Sequence, residues 1–185
     1  MKPLFLAALL ALAPLAHADD ALWAKLKAGG NVVLIRHAST EAGLGDPPGF
    51  KLGDCATQRN LSDTGREEAR RLGRQFQFRA INLAPIRSSQ WCRCLETARL
   101  AFNQEPEPWP LLNSLNAQPD KEFDLVDEVG ALAAKVKPPY NAVLVTHNFN
   151  IRALTGITPK EAEIIVVRSA GGGKLEVVGR LVLPQ

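Results

Sequence analysis

The chain has 185 residues, of which 46% are hydrophobic and 22% are charged, and its formal net charge is +3. This length suits a single domain with a full hydrophobic core. The net charge is too small to indicate a nucleic-acid-binding protein, so we expect no nucleic-acid partner.

The first 18 residues have the features of a secretory signal peptide. Lys2 supplies a short positive region, residues 4–15 are apolar apart from one proline, and residues 16–18 form an A-x-A cleavage signal. The apolar stretch is shorter than the ~20 residues that a bilayer span needs, which argues against the alternative of a membrane anchor. We predict cleavage after Ala18, no stable membrane insertion afterwards, and a periplasmic or secreted domain over residues 19–185.

The next elements are predicted from apolar periodicity and from helix start and stop signals. A first helix begins at Asp19 or Asp20 and stops at the glycine pair 29–30. Residues 31–36 (NVVLIR) form a strand buried on both faces. Residues 38–60 form a long Gly- and Pro-rich loop, and loops of this length in compact domains are usually functional.

The middle of the chain alternates helix and strand. Thr64 and Glu67 resemble a capping box that opens a helix over residues 65–79. A short strand over residues 82–89 ends in two serines, Ser88 and Ser89, which are expected to cap a helix over residues 90–102. A short strand over residues 109–112 and a helix over residues 120–136 follow. The last predicted elements are a buried strand over residues 142–147, a short helix over residues 150–156, and a hairpin of two strands over residues 163–168 and 174–183.

This alternation predicts an α/β fold. We expect a single three-layer α/β/α domain with a mainly parallel central sheet and a C-terminal antiparallel element.

The three cysteines would lie in an oxidising compartment after export, which allows them to pair. One intrachain bridge leaves one thiol over. Cys94 lies beside the apolar stripe of its predicted helix, so it is the buried cysteine, and we predict a disulfide between Cys55 and Cys92. A bridge from Cys55 to Cys94 and three free thiols are the alternatives. No fourth soft ligand lies at zinc-type spacing, so no metal site is expected from the cysteines.

Two histidines remain after the predicted signal peptide, and each follows a buried strand. NVVLIRH ends at His37, and NAVLVTH ends at His147. Because open α/β sheets build their sites at the carboxyl ends of strands, we expect both histidines at one site. One such histidine could be incidental, but two at equivalent positions favour a function.

Two arginines accompany these histidines. Arg36 directly precedes His37, and Arg93 lies near the buried side of its predicted helix. A buried guanidinium needs an anionic partner, and its planar fork suits a phosphate. The structural alternative for Arg93 is an internal ion pair with Glu96. Two histidines and two arginines around one crevice suit phosphoryl transfer, with a neutral imidazole as nucleophile. A metal hydrolase would require three or more ligands, which these residues do not supply.

Four segments resemble, in order, the motifs of the histidine phosphatase superfamily, the phosphoglycerate mutase-like proteins. LIRHAST (34–40) resembles its R-H-G-E-T stretch, and LSDTGREEA (61–69) its L-[ST]-x-x-G-x-x-x-A helix start. SSQWCRCLETA (88–98) resembles its S-S-x-x-x-R-x-x-x-T-A segment, and VTHNFNIRAL (145–154) its second-histidine stretch.

By this resemblance His37 is the phosphorylated nucleophile, and Arg36, Arg93 and His147 bind the phosphate. Thr40 is expected to line the same pocket, and Asn148 to contribute to substrate binding. The resemblance implies a small phosphorylated substrate and neither a metal nor an organic cofactor. Nothing in the sequence indicates an oligomeric state.

The resemblance leaves the general acid unassigned. Asn148 follows the second histidine, where the phytase branch has its proton-donating aspartate. Ser114 stands where the mutase branch has a glutamate. The fallback candidates are four carboxylates from neighbouring loops: Glu41, Asp54, Asp120 and Glu122. The protein histidine phosphatases of the superfamily also lack that glutamate, and a good leaving group needs less protonation.

The signal peptide, with the R-H-A and T-H-N sequences, resembles an exported branch that includes a lipopolysaccharide core heptose phosphate phosphatase. This implies a periplasmic phosphomonoesterase that acts on a cell-envelope phosphosugar. The alternative is a non-catalytic phosphate- or phosphoglycan-binding protein that kept the pocket but lacks an efficient general acid.

Overall fold

The computed structural model describes residues 13–43 and 45–183, with side chains from residue 19 onward. Its helices are α1 (Ala13–Ala28), α2 (Asp63–Phe78), α3 (Cys92–Phe102), α4 (Glu122–Lys135) and α5 (Asn148–Thr155). Its strands are β1 (Val32–Arg36), β2 (Leu83–Ser88), β3 (Glu107–Pro108), β4 (Asn141–Thr146), β5 (Ile164–Gly171) and β6 (Lys174–Leu181).

The strands form one six-stranded sheet in the order β3-β2-β4-β1-β5-β6. β1, β2, β3 and β4 pair in parallel, whereas β5 and β6 add an antiparallel edge. The predicted α/β class, with a mainly parallel sheet and a C-terminal antiparallel element, is confirmed.

Helices cover both faces of the sheet, so β1 and β4 are buried on both sides. Val33 and Ile35 of β1 pack into a core with side chains of α1, α2 and α3. Their neighbours Val32 and Leu34 face the opposite way and pack with α4 and α5. Because both faces are covered, the strand sequence is continuously apolar rather than alternating.

Two helix starts differ from the sequence-based predictions. α1 begins at Ala13 and runs through Asp19 and Asp20, so neither aspartate caps it. The alanines and leucines that precede these aspartates are good helix formers, which favours the earlier start. α2 is capped by Ser62, whose hydroxyl accepts a hydrogen bond from the Gly65 amide, and Thr64 lies inside the helix.

Two predictions around α3 are also wrong. Neither Ser88 nor Ser89 caps α3, because the N-cap residue is Trp91 and it makes no side-chain cap bond. The predicted strand over residues 109–112 is a 3₁₀ turn at Pro110–Leu112. Proline suits the first position of such a turn because its missing N–H is not needed there.

Residues 1–12 of the predicted signal peptide lie outside the described residues, and cleavage after Ala18 stays a prediction. Within the described part of the chain, no helix combines the length and apolarity needed to cross a membrane.

α2 and α3 pack closely at Gly73, where a Cβ would lie 1.8 Å from the backbone oxygen of Ala101. We expect Gly73→Ala to lower the free energy of unfolding by about 1–3 kcal/mol, because backbone atoms cannot yield locally. Gln77→Ala, at an exposed position one turn further along the same helix, should change it by about 0.5 kcal/mol or less. Urea unfolding followed by circular dichroism measures both variants. Equal stabilities would contradict the close packing.

Candidate active site

The ends of β1 and β4 bring His37 and His147 together. Arg36 is paired with Thr146 in the sheet, so the next residue of each strand leaves the same edge. The two imidazole ring centroids are 5.5 Å apart, and the side chains are almost fully buried. The structure therefore places the two histidines as the sequence predicts.

The hydrogen bonding of His37 defines which ring nitrogen can react. Nδ1 lies 2.9 Å from the carbonyl oxygen of Ala38. A carbonyl can only accept, so Nδ1 carries the proton and Nε2 carries the lone pair. Nε2 makes no hydrogen bond within the described residues. Burial lowers the pKa of His37 to about 3, and nearby Arg93, Arg36 and Arg59 also act to lower it. The side chain is thus neutral near pH 7, as a nucleophile must be.

His147 is oriented by a buried hydroxyl. Its Nε2 lies 2.9 Å from Ser89 Oγ and 3.5 Å from Cys94 Sγ. Ser89 Oγ in turn lies 3.2 Å from Asn113 Oδ1. Burial, followed by the neighbouring His37 and the arginines, places the pKa of His147 well below its ordinary value. Ser89 therefore fixes the ring of His147 rather than capping α3.

Three arginines line the pocket around these histidines. Arg36 and Arg93 are predicted site residues, whereas Arg59 was not anticipated from the sequence. Each of the three has a buried Nε with no hydrogen-bond partner in the described structure. Unpaired buried donors are costly and rare, so three around one pocket indicate an anion site. The pocket has a volume of about 480 Å³.

Asp46 supplies the anionic partner of Arg93. Its Oδ1 accepts a hydrogen bond from Arg93 at 2.7 Å and from the Arg59 amide at 3.0 Å. Its Oδ2 accepts from Trp91 Nε1 at 2.9 Å. The alternative of an Arg93–Glu96 pair is wrong, because Glu96 pairs with Arg66 instead.

The carboxyl group of Asp46 is held in its ionised form. Burial acts to raise its pKa, but the hydrogen bonds from Arg93, Trp91 and the Arg59 amide bring the pKa below its ordinary value. In this state Asp46 is a hydrogen-bond acceptor and not a proton donor. Asp46 and Arg59 both belong to the Gly- and Pro-rich loop, where periodicity gives no information about which side chains turn inward.

The remaining predicted substrate residues fall in different places. Asn148 and Ser114 line the pocket. Thr40 does not line it, and its hydroxyl accepts a hydrogen bond from Arg59 at 2.6 Å. Thr40 thus acts on the pocket only through that arginine.

None of the four fallback carboxylates lines the pocket. Asp54 caps the 3₁₀ turn at Cys55–Thr57. Glu122 borders a neighbouring cavity, Glu41 is exposed on a loop, and Asp120 is exposed in the 3₁₀ turn at Pro119–Lys121. Asp46 is the only carboxylate among the described residues that line the pocket.

The structure contains the predicted disulfide between Cys55 and Cys92, with an S–S distance of 2.07 Å. It joins the loop that carries Arg59 to the first residue of α3, next to Arg93. Gln58 reinforces this junction by accepting a hydrogen bond from the Cys92 amide at 2.9 Å. Cys94 is free and buried, and burial raises its pKa to about 12. Among the described residues, no cluster of three or more His, Cys, Asp or Glu side chains could hold a metal ion.

Comparison with known proteins agrees with this geometry. Residues 32–118, which include His37, Arg59 and Arg93, match the family model of the histidine phosphatase superfamily (branch 1). No curated protein matches the chain.

Several solved structures share the fold. The protein histidine phosphatase SixA complexed with tungstate has a TM-score of 0.58 and 17% identity, over 82% of this chain and 96% of that one. Rv3214 from Mycobacterium tuberculosis has a TM-score of 0.58 and 20% identity, over 80% and 95% of the two chains. A putative α-ribazole-5′-P phosphatase from Escherichia coli K-12 has a TM-score of 0.57 and 16% identity, over 80% and 94%.

The fold is therefore that of the histidine phosphatases. The family model covers residues 32–118, which is just under half of the chain.

The lowered pKa of His37 makes the stability of the fold depend on pH. Between pH 6.5 and about 3, the unfolded chain binds a proton at this residue and the folded chain does not. The fold therefore loses stability as the pH falls, by about 1.4 kcal/mol per pH unit from this group. We expect His37→Gln to make the pH dependence of the unfolding free energy shallower in this window, as measured by urea unfolding at several pH values. The control Gln77→Ala should keep the original slope, and an unchanged slope in His37→Gln would refute the assignment.

Loss of the disulfide should weaken both the fold and the pocket. The bridged cysteines are 37 residues apart, so the loop-closure model gives a loss of about 3–4 kcal/mol in the Cys55→Ser/Cys92→Ser variant. Loosening of the Arg59 loop should also raise the Kd for inorganic phosphate. Calorimetric titration and thermal unfolding measure the two effects. Dithiothreitol should reproduce them in the unmodified chain and have no effect on the double variant.

Proposed function

We propose that this protein is a periplasmic phosphomonoesterase that works through a phosphohistidine intermediate on His37. The observation that carries the proposal is the free Nε2 of a buried, neutral His37 in one pocket with His147 and three arginines. Such a pocket combines a nucleophile with the positive charge that a transferring phosphoryl group requires.

The charges in the pocket suit a phosphate monoester. Among the side chains that line the pocket, Arg36, Arg59 and Arg93 bring three positive charges and Asp46 removes one; Glu161, which pairs with Arg36 at 3.4 Å, lies outside the lining. Both histidines are neutral, so the lining side chains carry a net positive charge, which suits the negative charge of the ester.

The reaction would proceed in two displacements. Nε2 of His37 attacks phosphorus, the bond from phosphorus to the ester oxygen breaks, and the leaving group departs with its electron pair and takes up a proton. Water then attacks the phosphohistidine, which releases inorganic phosphate and restores His37. His147 and the arginines stabilise the charge on the phosphoryl oxygens in both steps.

The choice of substrate is constrained because no carboxyl group that lines the pocket is placed to donate a proton to the leaving group. Asp46 is ionised and engaged with Arg93, and the fallback carboxylates lie outside the pocket. We therefore expect faster turnover where the leaving group needs little protonation. The fold neighbour SixA is a protein histidine phosphatase.

The proposed location and substrate follow from the sequence. The predicted signal peptide supports export, and the Cys55–Cys92 disulfide is consistent with an oxidising compartment. Together with the resemblance to the exported branch, this supports a cell-envelope phosphosugar as the substrate. The second candidate is a phosphate- or phosphoglycan-binding protein without turnover, which the engaged state of Asp46 favours.

The nucleophile is tested by replacing His37 with Ala. We expect loss of hydrolysis of an aryl phosphate by at least about 10³-fold, because Nε2 of His147, the other imidazole in the pocket, is engaged with Ser89. A brief pulse of ³²P-labelled substrate followed by quenching should leave acid-labile label on the unmodified chain and on Gln77→Ala, and none on His37→Ala.

Other outcomes separate the alternatives. Undiminished activity in His37→Ala would refute the nucleophile. Saturable phosphate binding without label or turnover in the unmodified chain would favour the binding protein. Loss of activity on treatment with a chelator would favour a metal hydrolase.

A further inference from the structure

A second cavity adjoins the phosphate pocket. Its volume is about 470 Å³, within the ~300–1,000 Å³ common for small-molecule sites. Asn116 and Phe149 line both cavities, so the two are adjacent and open next to each other. A substrate whose phosphate occupies the first cavity can therefore extend into the second.

The two charged side chains of the second cavity, Arg152 and Glu122, form no ion pairs within the described residues. Arg152 makes no ion pair within the described residues, and its guanidinium lies over the ring of Phe149, 5.4 Å from the centroid. Glu122 has neither an ion pair nor a side-chain hydrogen bond in the described structure. Both side chains are exposed and face the same cavity.

The position of Phe149 links this cavity to the chemistry. It lies two residues after His147, in the first turn of α5, and 40% of its surface is exposed. A partly exposed aromatic ring beside a polar cavity offers a flat apolar surface to a ligand.

We propose that this second cavity binds the leaving group of the substrate, and that the leaving group is an uncharged, hydroxyl-rich molecule such as a sugar. The proposal rests on the phosphomonoesterase function proposed above. Asn116, Glu122 and Arg152 provide both donors and acceptors for hydroxyl groups. Phe149 provides a surface for the C–H groups of a sugar ring.

The pair of opposite charges argues against a leaving group that carries a charge of one sign only. A second phosphate would be repelled by Glu122, and an ammonium group would be repelled by Arg152. Hydroxyl groups can donate to the carboxylate and accept from the guanidinium at the same time. An uncharged polyol satisfies all three polar side chains.

The test compares two substrates, glucose 6-phosphate and acetyl phosphate. The acetyl group is small and lacks hydroxyl groups, so it cannot use the second cavity in this way. We expect Arg152→Gln and Glu122→Gln each to lower the ratio of kcat/KM for glucose 6-phosphate to that for acetyl phosphate by about tenfold. Arg70→Gln and Glu128→Gln, which alter exposed charges on α2 and α4, should leave the ratio unchanged.

A binding measurement separates this proposal from the proposed function. Calorimetric titration gives the Kd of glucose 6-phosphate and of inorganic phosphate without any need for turnover. We expect Arg152→Gln and Glu122→Gln each to raise the Kd of glucose 6-phosphate by about tenfold and to leave the Kd of inorganic phosphate unchanged. An unchanged Kd and kcat/KM ratio in both variants would overturn the proposal. So would a wild-type chain that binds glucose 6-phosphate no more tightly than inorganic phosphate. Absence of turnover together with the expected shift in Kd would refute the phosphomonoesterase function and retain the sugar site.

Discussion

The parallel pairing of β1 with β4 is the constraint on which the rest of the site depends. The register that places Arg36 opposite Thr146 also makes both strands end at the same level. The backbone amide of His37 then donates to the carbonyl of Thr146 at 3.0 Å, which extends the ladder into the site. A shift of one residue would turn one histidine away from the other. Helices on both faces of the sheet bury this pairing, so the geometry of the histidines is set by the core.

The second requirement is an anionic partner for the buried positive charge of the pocket, and the loop before α2 supplies it. A guanidinium at the position of Arg93 is stable without a ligand only if a carboxylate reaches it, and Asp46 does so from that loop. The same loop brings Arg59, and the disulfide fastens the loop beside Arg93. The long irregular segment is therefore a structural part of the pocket that the three arginines line, as well as its rim.

Much of this site follows from the sequence, because strand ends and helix starts carry periodic signals. His37 and His147 are found by the buried strands before them, and Arg93 by its place beside an apolar stripe. Asp46 and Arg59 could not be found in this way. Their roles depend on how an aperiodic loop folds back over α3, which local pattern does not encode. The prediction that Thr40 lines the pocket fails for a related reason. Its position three residues after His37 suggests that its side chain lies in the pocket, but its hydroxyl accepts a hydrogen bond from Arg59 instead.

The contact between Asp46 and Arg93 also bears on affinity. A phosphate that binds Arg93 must replace or share a carboxylate that already receives three hydrogen bonds. The binding free energy is therefore the difference between two charge-assisted interactions rather than the full value of one. This difference limits the affinity for substrate and for inorganic phosphate alike. Weak retention of inorganic phosphate suits an enzyme that must release it in every cycle, because uniformly tight binding does not raise turnover. The engagement of Asp46 with Arg93 is thus compatible with the proposed phosphatase activity.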